Sequence, residues 1–157
     1  MKTFLKFANC IAAGLALVAF ILLMATPAAV YTSGNTTLHY SGVAGIFGGD
    51  GLKAVWAGLL AWIFVLLAML ALCALVVLPL LKVNALDKFA NLIALCAACL
   101  LLLGGIFMFC EGGAFSSVNQ TLLAYKTGAG WVIGGILALL GSLTAACPVV
   151  LGLLGKK

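Results

Sequence analysis

The sequence predicts an all-α integral membrane protein: a four-transmembrane-helix antiparallel bundle with a small extracellular β-element. Three observations predict it. Apolar residues make up 66% of the chain and charged residues only 7%, where a soluble domain carries roughly a quarter charged. The apolar residues gather into four long runs, each near the ~20 residues a helix needs to cross a hydrocarbon core about 30 Å thick. None of the runs has an ionisable side chain in its middle.

The runs cover residues 7–30, 54–81, 89–110 and 128–154, and the whole chain, 1–157, reads as one transmembrane domain. Backbone N–H and C=O groups find no water in hydrocarbon, so each run must satisfy them internally, as a helix does. A membrane β-barrel would show shorter segments of strict alternation, and these Leu- and Ala-rich runs do not. The first run follows Met1-Lys2-Thr3-Phe4-Leu5-Lys6 and ends near Thr26-Pro27-Ala28, which resembles a secretory signal. Its apolar stretch is longer than a usual signal core, so an uncleaved first helix is expected. The second and third runs are joined by residues 82–88 alone, too short for a domain, which makes them antiparallel neighbours.

Orientation follows from lysine. The chain has eight Lys and no Arg. Lys2, Lys6, Lys82, Lys88, Lys156 and Lys157 fall on one side of the predicted spans, and only Lys53 and Lys126 on the other. Positive charge is retained in the cytoplasm during insertion, so both termini are expected inside, in the plasma membrane. The inner side then carries +5 after Asp87, and Asp50 and Glu111 cancel the two outer lysines. The basic balance is therefore a topology signal, with an attraction for anionic headgroups. Nucleic acid is not an expected partner, because a basic face with bidentate Arg is missing. Trp56, Trp62 and Trp131 fall near the outer span ends and Tyr31, Tyr40 and Tyr125 in the outer loops, the headgroup level that amphipathic rings favour.

The outer loops, about 31–53 and 111–127, are the places outside the spans where function can sit. Ser33-Gly34-Asn35 is a turn signal, and Thr36-Thr37-Leu38-His39-Tyr40 reads as a β-strand. The glycine-rich stretch Ser41 to Gly51 lacks the G-x-x-x-x-G-K-[ST] spacing of a phosphate loop. It reads as a compact loop resting on the membrane, with Ile46 and Phe47 dipping in. The segment from Val118 to Tyr125 is expected to pair with the first loop or to form a helical turn. Asn35-Thr36-Thr37 and Asn119-Gln120-Thr121 match the glycosylation acceptor pattern.

Chemistry-bearing residues are few. The six cysteines, Cys10, Cys73, Cys96, Cys99, Cys110 and Cys147, lie within or at the ends of spans. Cys96-Ala97-Ala98-Cys99 puts two thiols on one helix face, but near mid-membrane, with no Lys, His or helix N-terminus to lower a thiol pKa. It reads as small apolar filler, and no third ligand suggests zinc. His39 has no Ser or Cys nucleophile at a recognisable spacing. His39, Asp50 and Glu111 are candidate outer-face polar contacts, with Glu111 expected at a solvated helix end. Asn9, Asn84, Asn91 and Asp87 are expected to hydrogen-bond one another near the inner face. Gly130 and Gly134, with Gly104 and Gly105, are candidate helix-packing positions, because lipid provides no hydrophobic drive between helices and close backbone approach does.

The layout is similar to that of claudin-like tetraspan proteins: both termini inside, a longer first outer loop with strand character and a shorter second one. That family's first loop carries a W-x(n)-G-L-W-C-C signature, and the loop here has neither Trp nor Cys, so the resemblance implies topology alone. Four-helix enzymes of glutathione and eicosanoid metabolism hold anionic cofactors with arginines, of which this chain has none. The expectation is a non-enzymatic structural or accessory protein, without cofactor, catalytic residue, metal or small-molecule substrate. Its partners are the lipid bilayer and either a further copy of itself or a larger membrane protein. The alternative is a small channel or transporter formed by oligomers.

Overall fold

The computed structural model describes residues 2–33, 35–49, 51–81, 87–120 and 123–154, with backbone alone at 2–6, 87 and 153. Among the described residues, five α-helices and three strands follow in the order α1 (Lys2–Ala25), β1 (Pro27–Ser33), β2 (Thr36–Ser41), α2 (Gly42–Phe47), α3 (Trp56–Leu80), α4 (Ala90–Val118), β3 (Lys126–Thr127) and α5 (Ala129–Leu154), with one 3-10 turn, Asp87–Phe89, ahead of α4. Four helices are long and apolar enough to cross a membrane: Phe7–Ala25, Trp56–Leu80, Ala90–Val118 and Ala129–Gly152.

The four long helices close into a ring in which α1 and α4 each pack on both α3 and α5. Alanine makes the ring tight. Ala12, Ala16 and Ala19 on α1, Ala61 and Ala68 on α3, Ala97 on α4 and Ala138 and Ala145 on α5 are all fully buried in one core, with Val65, Leu72, Leu101 and Met108 between them. Their three- and four-residue spacing keeps each set on one helix face. Large apolar side chains such as Ile21, Leu70, Leu102 and Leu143 point outward. This arrangement, small inside and bulky outside, suits helices whose alternative environment is lipid.

The strands cap one end of the ring. They form an antiparallel sheet of order β2-β1-β3, with Val30 opposite His39 in β2 and opposite Lys126 in β3. The β2 strand lies where its residue types predict. The others differ from expectation. The first helix stops at Ala25 rather than Val30 because a residue before proline is driven out of the helical region. Thr26 instead turns back to donate its hydroxyl to the Leu22 carbonyl (2.6 Å). Pro27 then opens β1, a strand start being a place where a missing N–H costs little. Val118 ends α4, and the strand from the second loop is only Lys126–Thr127.

The glycine-rich stretch also departs from expectation. It folds into α2, whose first turn is capped by the Ser41 hydroxyl accepting from the Ala44 N–H (3.2 Å). Ile46 faces inward, fully buried in the core. Phe47 remains exposed and meets the Trp62 ring edge-on at 5.3 Å. Trp131, expected at a headgroup boundary, is fully buried instead, because the start of α5 tucks beneath β1: the Gly128 N–H donates to the Ala28 carbonyl (2.9 Å). At the opposite end Asn9 is buried with its Oδ1 unpartnered, and Asn91 is exposed. These two do not make the expected network; Asn84 and the Asp87 side chain lie outside the described residues.

Candidate functional site

The feature that sequence reasoning misplaced is Glu111. A charged residue at the end of an apolar run reads as a helix end that reaches water. In the structure α4 continues past it to Val118, and Glu111 is 0% exposed. The helix continues because Gly112, Ala114 and Phe115 extend its buried face beyond the glutamate, packing on β3 and on the aromatic cap.

The carboxyl lies between two glycines from other elements. A Cβ on Gly45 of α2 would stand 2.9 Å from Oε1, and a Cβ on Gly58 of α3 would stand 3.0 Å from Oε2. Glycine at both positions is what makes room for the group. Gly58 is also in the first turn of α3, where backbone N–H groups have no helical acceptor. Val55 precedes that turn with no side chain able to cap it, and the Gly58 N–H faces the Glu111 carboxyl. The contact falls short of a formed hydrogen bond, and both carboxyl oxygens are buried without a partner. The positive end of the α3 dipole is therefore met by a side chain from the neighbouring helix. Two further polar atoms, Nε1 of Trp62 and of Trp131, are also buried without partners. They belong to α3 one turn beyond Gly58 and to the first turns of α5.

An aromatic cap seals this end. Tyr125 packs against Tyr31, Tyr40 and Phe115 with ring centroids 5.6, 5.5 and 5.1 Å away, and Tyr40 lies 4.9 Å from Phe115. Residues from β1, β2, α4 and the loop just before β3 thus form one cluster. Polar bonds hold it to α4: the Tyr125 N–H donates to the Ser116 hydroxyl (2.9 Å), and the Thr127 hydroxyl donates to the Phe109 carbonyl (3.0 Å). The Lys53 N–H donates to Oδ1 of Asn119 (2.9 Å), tying the segment before α3 to the end of α4.

The hydrogen bond from the Tyr125 hydroxyl to the Tyr40 hydroxyl, with burial, pushes the Tyr125 pKa from its ordinary 10.0 up to about 12. The folded state therefore holds a proton that the unfolded chain gives up. Cap stability from this group is fully present below pH 10 and is lost as pH rises from 10 to 12. Ultraviolet titration of tyrosinate is expected to show one late phase that Tyr40→Phe moves earlier. An unchanged titration in that variant would remove the bond from the account.

The remaining residues singled out from sequence are not gathered into one site. His39 is exposed on β2, and Asp50 lies outside the described residues. Gly104 faces Val65, where a Cβ would approach Cγ2 to 2.8 Å, and Gly105 faces the Gly135 carbonyl at 3.0 Å. Gly130 faces the Thr26 side chain, and Gly134 faces Met108 Cε at 2.5 Å. Cys10, Cys96, Cys99, Cys110 and Cys147 are exposed on outward helix faces, and Cys73 is half-buried. No protein-family description matches the chain, and no curated protein matches it. Gly45 and Gly58 escaped notice because their partner lies far away in sequence, and isolated glycines are common in membrane helices.

Proposed function

We propose that the protein is a non-enzymatic structural or accessory protein of the plasma membrane, a tetraspan bundle that packs with itself or with a larger membrane partner. Both termini are cytoplasmic in this reading and the sheet is extracellular. The observation that carries it is the closed interior. Alanine, leucine and valine, with Ile46, Met108 and Trp131, fill the space between the four helices, and the Tyr31, Tyr40, Phe115 and Tyr125 cluster stoppers the sheet end. Among the described residues such an interior leaves a single chain little room for a polar path, while the bulky outward faces are free to meet lipid or another helix.

Particle mass in lipid nanodiscs, together with ion flux in liposomes, tests the proposal. A self-associated or stoichiometrically partnered particle without flux is the expected result. Flux through the purified protein would overturn it.

A second reading, a channel or transporter formed by oligomers, is favoured by one observation. A fully buried carboxyl within a membrane-length helix is a usual mark of an ion or proton pathway. That reading requires flux that Glu111→Gln abolishes.

Orientation has its own test in the two acceptor asparagines. Asn35 is exposed at the turn between β1 and β2. The Asn119 amide is engaged at both ends, accepting from Lys53 N–H and donating to the Phe115 carbonyl (3.2 Å). Translation into glycosylating microsomes is expected to modify Asn35 and leave Asn119 bare. Absence of modification at Asn35, with a reporter site introduced near the N-terminus modified instead, would invert the topology.

A further inference from the structure

The cradle around Glu111 supports a step that does not depend on flux. We propose that the Glu111 carboxyl is a reversible proton-binding site that governs how α2 closes over the first turn of α3. It rests on the reading that these helices lie in a membrane, and it holds whether the protein is an accessory or a transporter.

Three observations lead there. The first is that both oxygens of a fully buried carboxyl lack partners. The second is that its surroundings support both charge states. Dry packing against Gly45 and Gly58 disfavours an unpaired charge. The Gly58 N–H and the uncapped positive end of the 25-residue helix α3 favour it. The third is the cover: α2 lies over the carboxyl with Ile46 anchored in the core, and glycines with positive φ at Gly48, Gly49 and Gly51 follow it. The chief polar tie is the Val55 N–H donating to the Gly45 carbonyl (2.9 Å).

The proton fits this site better than a metal cation. With Gly45 and Gly58 so close, the carboxyl itself fills the space, and a proton adds almost no volume. A hard cation needs several oxygen ligands, whereas the polar group facing Glu111 is an N–H. Among the described residues no other charge takes part. The elements packed on the site contribute no ionisable residue from α2 or the first turns of α3. Lys53 ahead of α3, Cys110 on α4 and Lys126 on β3 are exposed, Tyr31 of β1 packs in the aromatic cap, and none of them pairs with the carboxyl oxygens. The exchange is an O–H bond forming or breaking, with the proton passing to water at the sheet end when α2 lifts.

The test uses the full chain in nanodiscs and a lipid-soluble carbodiimide, which adds only to a protonated carboxyl, with the adduct located by mass spectrometry. The expected result is labelling at Glu111 that falls as pH rises and is unchanged when sodium replaces choline at fixed pH. Infrared spectra of the wild-type protein are expected to show a dry carboxylic C=O band with the same pH profile, a measurement that needs no variant. Both signals are lost in Glu111→Gln. Hydrogen exchange in α2 is expected to quicken over the same pH range in the wild type and not in the variant. Absence of both the label and the band at every pH would overturn the proposal. So would protection by sodium, which points to an alkali-cation site, or α2 exchange that ignores pH. Flux measured in parallel separates this outcome from the fate of the accessory reading.

Discussion

Gly128→Val is expected to destabilise the folded state severely. Gly128 stands where the strand Lys126–Thr127 turns into α5, and a Cβ there would overlap the carbonyl oxygen of Pro27 and lie 2.9 Å from its carbon. Those are backbone atoms and cannot rotate aside. Moving them would break the Gly128 N–H bond to Ala28 (2.9 Å) and shift the first turn of α5, where Trp131 and Val132 donate to the Gly128 carbonyl (3.0 and 3.1 Å). Overpacking usually costs 1–3 kcal/mol where side chains can yield; with backbone on both sides a loss of about 3 kcal/mol or more is expected. Gly14→Ala and Gly113→Ala are the controls. Nothing lies within 4 Å of either added Cβ, and both are within helices, so a gain of about 0.5–1 kcal/mol is expected from propensity. Thermal unfolding in nanodiscs reads all three. A Gly128→Val protein as stable as the controls would refute the close junction of β1 and α5.

Trp131→Ala is the second large effect. Trp131 is the largest fully buried side chain. Its ring occupies the sheet end of the core, near the level at which Gly134 meets Met108. In water-soluble proteins such a truncation costs about 3–5 kcal/mol through lost transfer energy and the cavity left behind. Where lipid is the alternative solvent the transfer part shrinks, so the packing loss sets the cost, about 3 kcal/mol at the lower end of that range. Trp131→Phe discriminates the ring from its N–H. The indole N–H has no partner, so no hydrogen bond is lost, and the variant is expected to retain most of the stability. Equal losses in the two variants would mean that the N–H has a partner in solution.

The four long helices are legible in the sequence because twenty apolar residues in a row admit few other structures. Their ends are less so. Hydropathy runs unbroken from Phe7 to Val30, yet Pro27 divides a helix from a strand; residues 28–30 are apolar because Ala28 and Ala29 are buried under the cap. Composition cannot distinguish burial in a helix from burial in a sheet. Glu111 shows the opposite failure. Its charge suggests an end, but two distant glycines house it inside. A signal for that was present: Gly112, Ala114 and Phe115 continue the small-and-apolar spacing past the charge, which a solvated helix end would not need. The strand Thr36–Ser41 was readable from β-branched residues, whereas Lys126–Thr127 is too short to carry any pattern and is set by its neighbour β1.

The sheet order β2-β1-β3 has a consequence for biogenesis. The middle strand and its hairpin partner leave the ribosome early, but the third strand follows only after two more long helices. During synthesis the hairpin waits with one edge unpaired, an invitation to pair with another chain. Closure comes when residues 126–128 arrive and the last helix swings under the first strand. The sheet therefore acts as a completion mark. A truncated product retains an open edge on β1 and an unfilled core where Trp131 belongs, so both the sheet and the core are complete only in the full-length chain.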